Sequence, residues 1–222
     1  MVALDPPPGV EPDGWVKERV GCLDELVSSF KVGLPLLLRT GVSKLRDLFS
    51  VSSKPLIADL KLADIGDIMS YVVEVLADAG VSAVISHAFV GRRGALDILV
   101  KKSEELGVRP ILVVSMSHQG STEFIDKHLS EFVEAALELR VWGVVAPATR
   151  REVISRVREL AGSELRIFSP GVGAQGAEPG SAICSGADYE IVGRAVTSSS
   201  NPREALEKII YEQEKRVRGC RS

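Results

Sequence analysis

The chain has 222 residues, 45% of them hydrophobic, with a mean hydropathy of +0.14, enough for one large domain with a sizeable core. A formal net charge of −3 and a pI near 5.7 give no electrostatic footprint for nucleic acid. No apolar run approaches the roughly eighteen residues that cross a bilayer, so no membrane partner is expected. Cys22, Cys184 and Cys220 are odd in number, far apart and without CxxC spacing. They predict neither a disulfide framework nor a zinc site, and point to a reducing cytosol. The opening residues lack the basic and apolar regions of a secretory signal, and the protein reads as soluble and cytoplasmic.

Short β-rich runs alternate with longer amphipathic ones. Val2 to Leu4 predicts a brief strand ending at Asp5 and a Pro-Pro-Pro-Gly turn. Val16, Val20, Leu23, Val27 and Phe30 recur at helical spacing. Phe30 to Gly33 predicts a second strand carrying Lys31, with helical material from Pro35 to Phe49. The third strand starts in Pro55 to Ala58 and runs straight into Asp59, Lys61 and Asp64. Ile65, Ile68, Val72, Val75, Leu76 and Ala79 then line one face of a helix that stops at Gly80. Ala83 to Ser86 and Pro110 to Met116 predict strands four and five, followed by helices over Gly94 to Leu106 and through Ile125, Leu129, Phe132, Ala136 and Leu139. Gly143 to Ala146, Arg166 to Ser169 and Tyr189 to Val192 are the last strands, with a charged helix from Arg150 to Leu160 and a final one from Pro202 to Val217. The basic tail, Glu214 to Ser222, is expected to fray.

Eight strand–helix units with continuously apolar strands mean a parallel sheet covered by helices. Their number and the length favour an α/β fold of the (β/α)8 TIM-barrel type, a parallel eight-stranded barrel in a single domain over 1–222. In this fold the C-terminal ends of the strands build the site. That gathers Asp5, Lys31, Asp59, Lys61, Ser86, His87, Ser115, Ser117, the run from Ser169 to Gly176, Gly193 and Arg194 around one mouth.

Asp59 and Lys61 alternate onto one strand face, about 7 Å apart. Charges at the end of a buried strand are costly unless paired or met by a ligand. The bland alternatives are a structural ion pair, and Asp64 as a helix N-cap with Asp67 three residues on. The functional reading is a lysine kept cationic by carboxylates, able to neutralise developing negative charge and deliver a proton. Opposite it, Pro170-Gly171-Val172-Gly173-Ala174-Gln175-Gly176 and Gly193-Arg194 sit where barrels commonly hold phosphate. Glycines let backbone N–H groups approach the oxygens, Gln175 can donate, and Arg194 can pair bidentately. Ser117 either caps the next helix or meets a polar ring. His87 and His118 read as satisfied loop histidines, with no metal site.

The Asp59-Leu60-Lys61-Leu62-Ala63-Asp64-Ile65 run resembles the Asp-x-Lys-x-x-Asp signature of the orotidine 5′-phosphate decarboxylase family. Leu4-Asp5, Lys31-Val32-Gly33, Met116-Ser117-His118, the Pro170–Gly176 loop and Val192-Gly193-Arg194 agree with it in order along the whole chain, most like short archaeal members. The resemblance implies cofactor-free decarboxylation of orotidine 5′-monophosphate (OMP) to UMP, the last step of de novo pyrimidine synthesis. It implies Lys61 as proton donor within an Asp59–Lys61–Asp64 charge network, Asp59 against the departing carboxylate and, with Asp64, holding Lys61 in place. It also implies Asp64 with Ile65 reaching across a two-fold into the neighbouring site of a homodimer. Asp5 and Lys31 correspond to ribose contacts and Ser117 to a pyrimidine contact. Gln175, Gly193 and Arg194 correspond to the phosphate clamp, and Pro170, Gly171, Val172 and Gly173 beside them are further substrate-binding candidates.

Three features depart from the pattern. The chain starts almost at strand 1, whereas family members often carry a segment that helps close the barrel floor, so a looser floor is expected. Ile68 stands where a ribose-binding hydroxyl residue is common, and Pro6-Pro7-Pro8 stiffens the rim after Asp5. The nearest rivals are magnesium-dependent 3-keto-L-gulonate 6-phosphate decarboxylases and hexulose-phosphate synthases, which share the strand-3 signature. Those need an acidic metal ligand, typically on strand 2, where this chain has Lys31. A non-catalytic phosphosugar- or nucleotide-binding barrel would have no use for the charge cluster.

Overall fold

The computed structural model describes residues 1–220. Eight parallel strands close into a barrel in sequential order, with β1 paired to both β2 and β8. They are β1 (Val2–Ala3), β2 (Phe30–Gly33), β3 (Leu56–Leu62), β4 (Ala83–His87), β5 (Arg109–Val113), β6 (Gly143–Val145), β7 (Arg166–Val172) and β8 (Tyr189–Val192). The helices are α1 (Pro12–Leu23), α2 (Leu34–Thr40), α3 (Leu45–Leu48), α4 (Gly66–Asp78), α5 (Asp97–Glu105), α6 (Leu129–Glu138), α7 (Arg151–Ala161), α8 (Ser181–Cys184), α9 (Arg194–Thr197) and α10 (Pro202–Cys220).

Strand alternation divides the apolar residues into two cores. Ile57, Ile85, Ile111, Val113, Val145, Phe168 and Ile191 fill the barrel interior, while Ala58, Val84, Leu112, Val144 and Ile167 point outward under the helices. That is the period-2 alternation of a barrel wall. At the strand starts Phe168 stacks on Tyr189 (4.9 Å) and meets Trp142 edge-on (4.9 Å), with Arg109 over the Trp142 ring. This aromatic trio fills the interior floor. Beside it a cavity of about 400 Å³ lies between Met1, Tyr189 and the end of α10.

Several helices differ from their sequence pattern. Helical spacing from Val16 to Phe30 spans more than one element: α1 ends at Leu23, a 3-10 turn follows over Asp24–Leu26, and Phe30 already belongs to β2. The material from Pro35 to Phe49 breaks at Gly41, whose φ of 78° a helix cannot continue. On α4 the apolar stripe divides. Met69, Val73 and Leu76 are buried, but Ile65, Ile68, Tyr71 and Val75 are exposed, so spacing alone merged a core face with an outward apolar face.

Two expectations about the C-terminal end are overturned. Cys184 on α8 and Cys220 at the end of α10 form a disulfide, with a Cα–Cα distance of 5.9 Å. Their separation of 36 residues hid the pairing, because it depends on α10 lying alongside α8. Nor does the tail fray from Glu214: α10 remains helical to Cys220, held by that bond and by Arg216. Arg221 and Ser222, the rest of that tail, lie outside the described residues. Among the described residues no helix is long and apolar enough to cross a membrane.

Candidate active site

The site is organised by an irregular end to β3. The register against β4 shifts between Ala58 and Leu62, and Lys61 takes φ 48°, one of two non-glycine residues among those described with positive φ. A bulge that re-aims a side chain at a strand end is a common device beside active sites, and the strained backbone at Lys61 falls on the residue singled out for chemistry. The Lys61 Nζ lies 2.8 Å from Asp59 Oδ1, and Lys31 Nζ lies 2.8 Å from Asp59 Oδ2. Asp59 thus bridges two ammonium groups. The Asp59 and Lys31 side chains are only 12% and 9% exposed, whereas Lys61, at 39%, reaches the cavity. Burial pushes the Asp59 carboxyl up, but the charges and hydrogen bonds of Lys31 and Lys61 outweigh it and hold the group below the usual carboxylate range.

A cavity of about 1030 Å³ opens over this network at the C-terminal ends of the strands. Asp5, Lys31, Asp59, Lys61 and Ser117 line one side, and Pro170, Gly171, Val172, Gln175, Gly193 and Arg194 the other. Asp5 is fixed by the Gly33 amide, 2.9 Å from its Oδ1, and a Cβ at Gly33 would come within 3.0 Å of that oxygen. The glycine-rich loop is closed by bonds from Gly173 N to Ala177 O (2.8 Å) and Gly176 N to Gly173 O (2.8 Å). Gly173 has φ 77°, and a Cβ there would sit 2.6 Å from that of Ala195, so neither backbone nor space admits another residue.

Gly173, Asp64 and Ile65 do not line the cavity. Asp64 is exposed and in no ion pair among the described residues, and its Oδ1 accepts only the next amide, Ile65 N, at 2.7 Å. It does not cap α4, whose N-cap position is Ile65 with no side-chain bond. Ser117 is exposed at the rim and likewise caps nothing: the 3-10 turn after it begins from His118 without a side-chain bond. His87 is not the satisfied histidine expected. Its Nδ1 is buried without a partner, its ring packs 4.7 Å from Phe89, and burial followed by the Lys61 charge holds its pKa down.

Two features escaped the sequence. Lys31 belongs to the charge network, which strand pairing of Gly33 with Asp59 makes possible but no local spacing announces. The second is a polar cluster behind Ser117. Asp126 Oδ1 accepts Ser115 Oγ (2.7 Å) and Ser121 Oγ (2.8 Å), and its Oδ2 pairs with Arg150 from the far side of β6. Ser121 Oγ also accepts the Met116 amide at 3.1 Å, which ties down the turn presenting Ser117. Burial raises the Asp126 carboxyl, but the two hydroxyls and Arg150 together lower it further. Among the described residues no group of three or more His, Cys, Asp and Glu side chains is placed to hold a metal ion.

Residues 1–209 match the model of the orotidine 5′-phosphate decarboxylase / HUMPS family. The chain belongs to this family. It is 47% identical over 210 residues to the orotidine 5′-phosphate decarboxylase of Aeropyrum pernix, covering 93% of this chain and 84% of that one. With the Pyrococcus furiosus enzyme of that name the identity is 40% over 188 residues, covering 85% and 86%. Among solved structures, the Methanocaldococcus jannaschii orotidine 5′-monophosphate decarboxylase complexed with the inhibitor BMP superposes with a TM-score of 0.86 at 32% identity, over 96% of each chain. The Sulfolobus solfataricus enzyme gives 0.83 at 36%, over 97% of each chain. The chain is therefore a decarboxylase-family (β/α)8 barrel with its charge network and glycine-rich loop on the face where the fold places chemistry.

Proposed function

We propose that the protein decarboxylates OMP to UMP and CO2 without a cofactor, as the last step of de novo pyrimidine synthesis in the cytosol. The observation that carries this reading is the Lys31–Asp59–Lys61 chain, with both bonds at 2.8 Å, facing a phosphate-type loop across one cavity. Breaking the bond between the pyrimidine ring and its carboxyl group leaves the electron pair on an sp² ring carbon, where resonance cannot spread it. Lys61 supplies a preorganised cation beside that carbon, and one of its N–H protons passes to the carbon as CO2 departs. Asp59 sets negative charge against the substrate carboxylate, which loses its own charge along the reaction, and with Lys31 it orients Lys61. Asp5, held by the Gly33 amide, takes a ribose hydroxyl, Lys31 keeps donors free to do the same, and Ser117 meets the pyrimidine edge. The loop at Gly171 and Val172, with Gln175, Gly193 and Arg194, grips the phosphate, whose binding energy orders the site before chemistry.

The active unit is a homodimer in which Asp64 and Ile65 complete the neighbour's site. In support, Ile65 is 62% and Tyr71 66% exposed, and with Ile68 they form an outward apolar face at the start of α4, of the kind that marks an interaction site. Ile68 offers no hydroxyl to the neighbour's ribose. Lys31 also counts against the magnesium-dependent rivals. Its ammonium takes the Asp59 oxygen and the strand-2 position that a metal and its acidic ligand would need.

The test is a spectrophotometric assay with OMP, with and without EDTA. The expected result is loss of OMP absorbance, unchanged by the chelator. No absorbance change at any enzyme concentration refutes the reading, and EDTA-sensitive turnover refutes its cofactor-free form.

A further inference from the structure

The phosphate-type loop is built from flexible residues, and its outer part, 173–176, is exposed. What holds its far end is a buried carboxylate that the chemistry does not use. Glu190 lies on β8 between the interior residues Tyr189 and Ile191, so it points away from the barrel axis, and it is 4% exposed. Its Oε2 accepts Gly180 N (2.8 Å) and Gln213 Nε2 (2.9 Å), and its Oε1 accepts Ala182 N (3.0 Å). All three partners donate, and both carboxylate oxygens accept. Gln213 is on α10, and α10 grips the same segment three more times. Arg216 Nε donates to Pro179 O (2.9 Å), Arg216 Nη2 pairs with Glu178 Oε2 (2.9 Å), and Cys220 is bonded to Cys184. The approach is close: a Cβ at Gly180 would come 2.9 Å from Gln213 O and 3.0 Å from Arg216 Cβ. No residue of α10 lines the large cavity, so any effect it has on the site is transmitted through the loop.

We propose that Glu190, together with disulfide-stapled α10, is the positioning device of the phosphate loop. It fixes residues 177–184 so that the exposed glycines upstream start from one geometry when a phosphate monoester arrives. The inference rests on the proposed function for the identity of that monoester. Loosening the brace should therefore weaken recognition of the phosphate and leave the Lys61 chemistry alone.

The experiment compares OMP with its phosphate-free nucleoside, orotidine, on four samples. These are the oxidised wild type, the wild type treated with dithiothreitol, Glu190→Gln, and the double variant Cys184→Ser/Cys220→Ser. In the second sample, dithiothreitol gives two electrons and two protons to the Cys184–Cys220 bond, leaving two thiols and closing into its own cyclic disulfide. Both cysteines are exposed to it. Glu190→Gln turns one acceptor oxygen into a donor facing another N–H. The expected result in the three perturbed samples is a KM for OMP raised about tenfold, about 1.4 kcal/mol of lost binding free energy. The kcat for OMP and the kcat/KM for orotidine should stay within about twofold. A parallel fall for both substrates means a merely structural brace and overturns the proposal, as does an unchanged KM. Where Glu190→Gln fails to fold, the reduced wild type decides between these outcomes. If the wild type turns over neither compound, the functional reading falls, and amide hydrogen exchange decides the positioning claim: faster exchange over 171–177 on reduction supports it, and unchanged exchange overturns it.

Discussion

Replacing Asp59 by Asn and Lys61 by Ala should separate the two jobs of the charge network. Asp59→Asn keeps the shape of the side chain but leaves two ammonium groups facing each other across it, where the wild type has two bonds of 2.8 Å. Two unit charges about 5 Å apart at an effective dielectric constant near 20 repel by about 3 kcal/mol. Breaking a fully buried pair costs about 3–5 kcal/mol, and Lys61, 39% exposed, can swing towards water. A loss of about 2–3 kcal/mol in urea unfolding is therefore expected, and Tm should fall by roughly 4–12 °C for a chain of this length. Lys61→Ala leaves the Lys31–Asp59 pair intact and should cost under about 1 kcal/mol, while decarboxylation drops by at least about 10³-fold. The wild-type pH dependence carries the same signature. The folded-state pKa of Asp59 is depressed, so its stabilisation is present above the unfolded carboxylate value of about 3.9 and disappears as the pH falls through the folded value. Asp59→Asn should flatten that acid limb. Equal urea midpoints for Asp59→Asn and the wild type would show that the network is not electrostatically coupled, and the reasoning would fail.

Two further outcomes follow. Gly173→Ala sets a Cβ 2.6 Å from Ala195 Cβ at a backbone φ of 77°; steady-state kinetics should show KM for OMP raised at least about tenfold, and a KM within twofold of wild type would show that the loop tolerates the shift. Mixing the inactive variants Lys61→Ala and Asp64→Ala should restore about a quarter of wild-type activity, since half of the dimers are mixed and each carries one intact site. No recovery after subunit exchange, confirmed by mass spectrometry, would place Asp64 in its own chain's site or in none.

The strands were legible because a parallel barrel wall is buried on both sides and needs short, continuously apolar runs such as Ala83–Ile85 or Gly143–Val145, bounded by polar residues. The mouth was legible because the fold gathers strand ends, so the strand positions of Asp59, Lys61 and Arg194 alone bring them together. What failed depends on long-range proximity. Lys31 joins Asp59 only through the β2–β3 register, Asp126 meets Arg150 across β6, and Cys184 meets Cys220 through the lie of α10. The α4 stripe failed for another reason: periodicity records that a face is apolar, not what covers it.

The barrel floor bears on how this molecule can be altered. Trp142, Phe168 and Tyr189 form a plug at the opposite end of the strands from Lys61, and the interior layers of Ile57, Ile85 and Ile111 lie between. Changes to that plug reach the reacting groups only by shifting whole strands, so its sequence can drift or be redesigned while the mouth keeps its geometry. The glycine-rich loop is less insulated. It leads into a segment that a disulfide between two exposed residues fastens to the surface helix α10 at the floor end of the barrel, so the solvent's redox state reaches the molecule on the side away from its mouth.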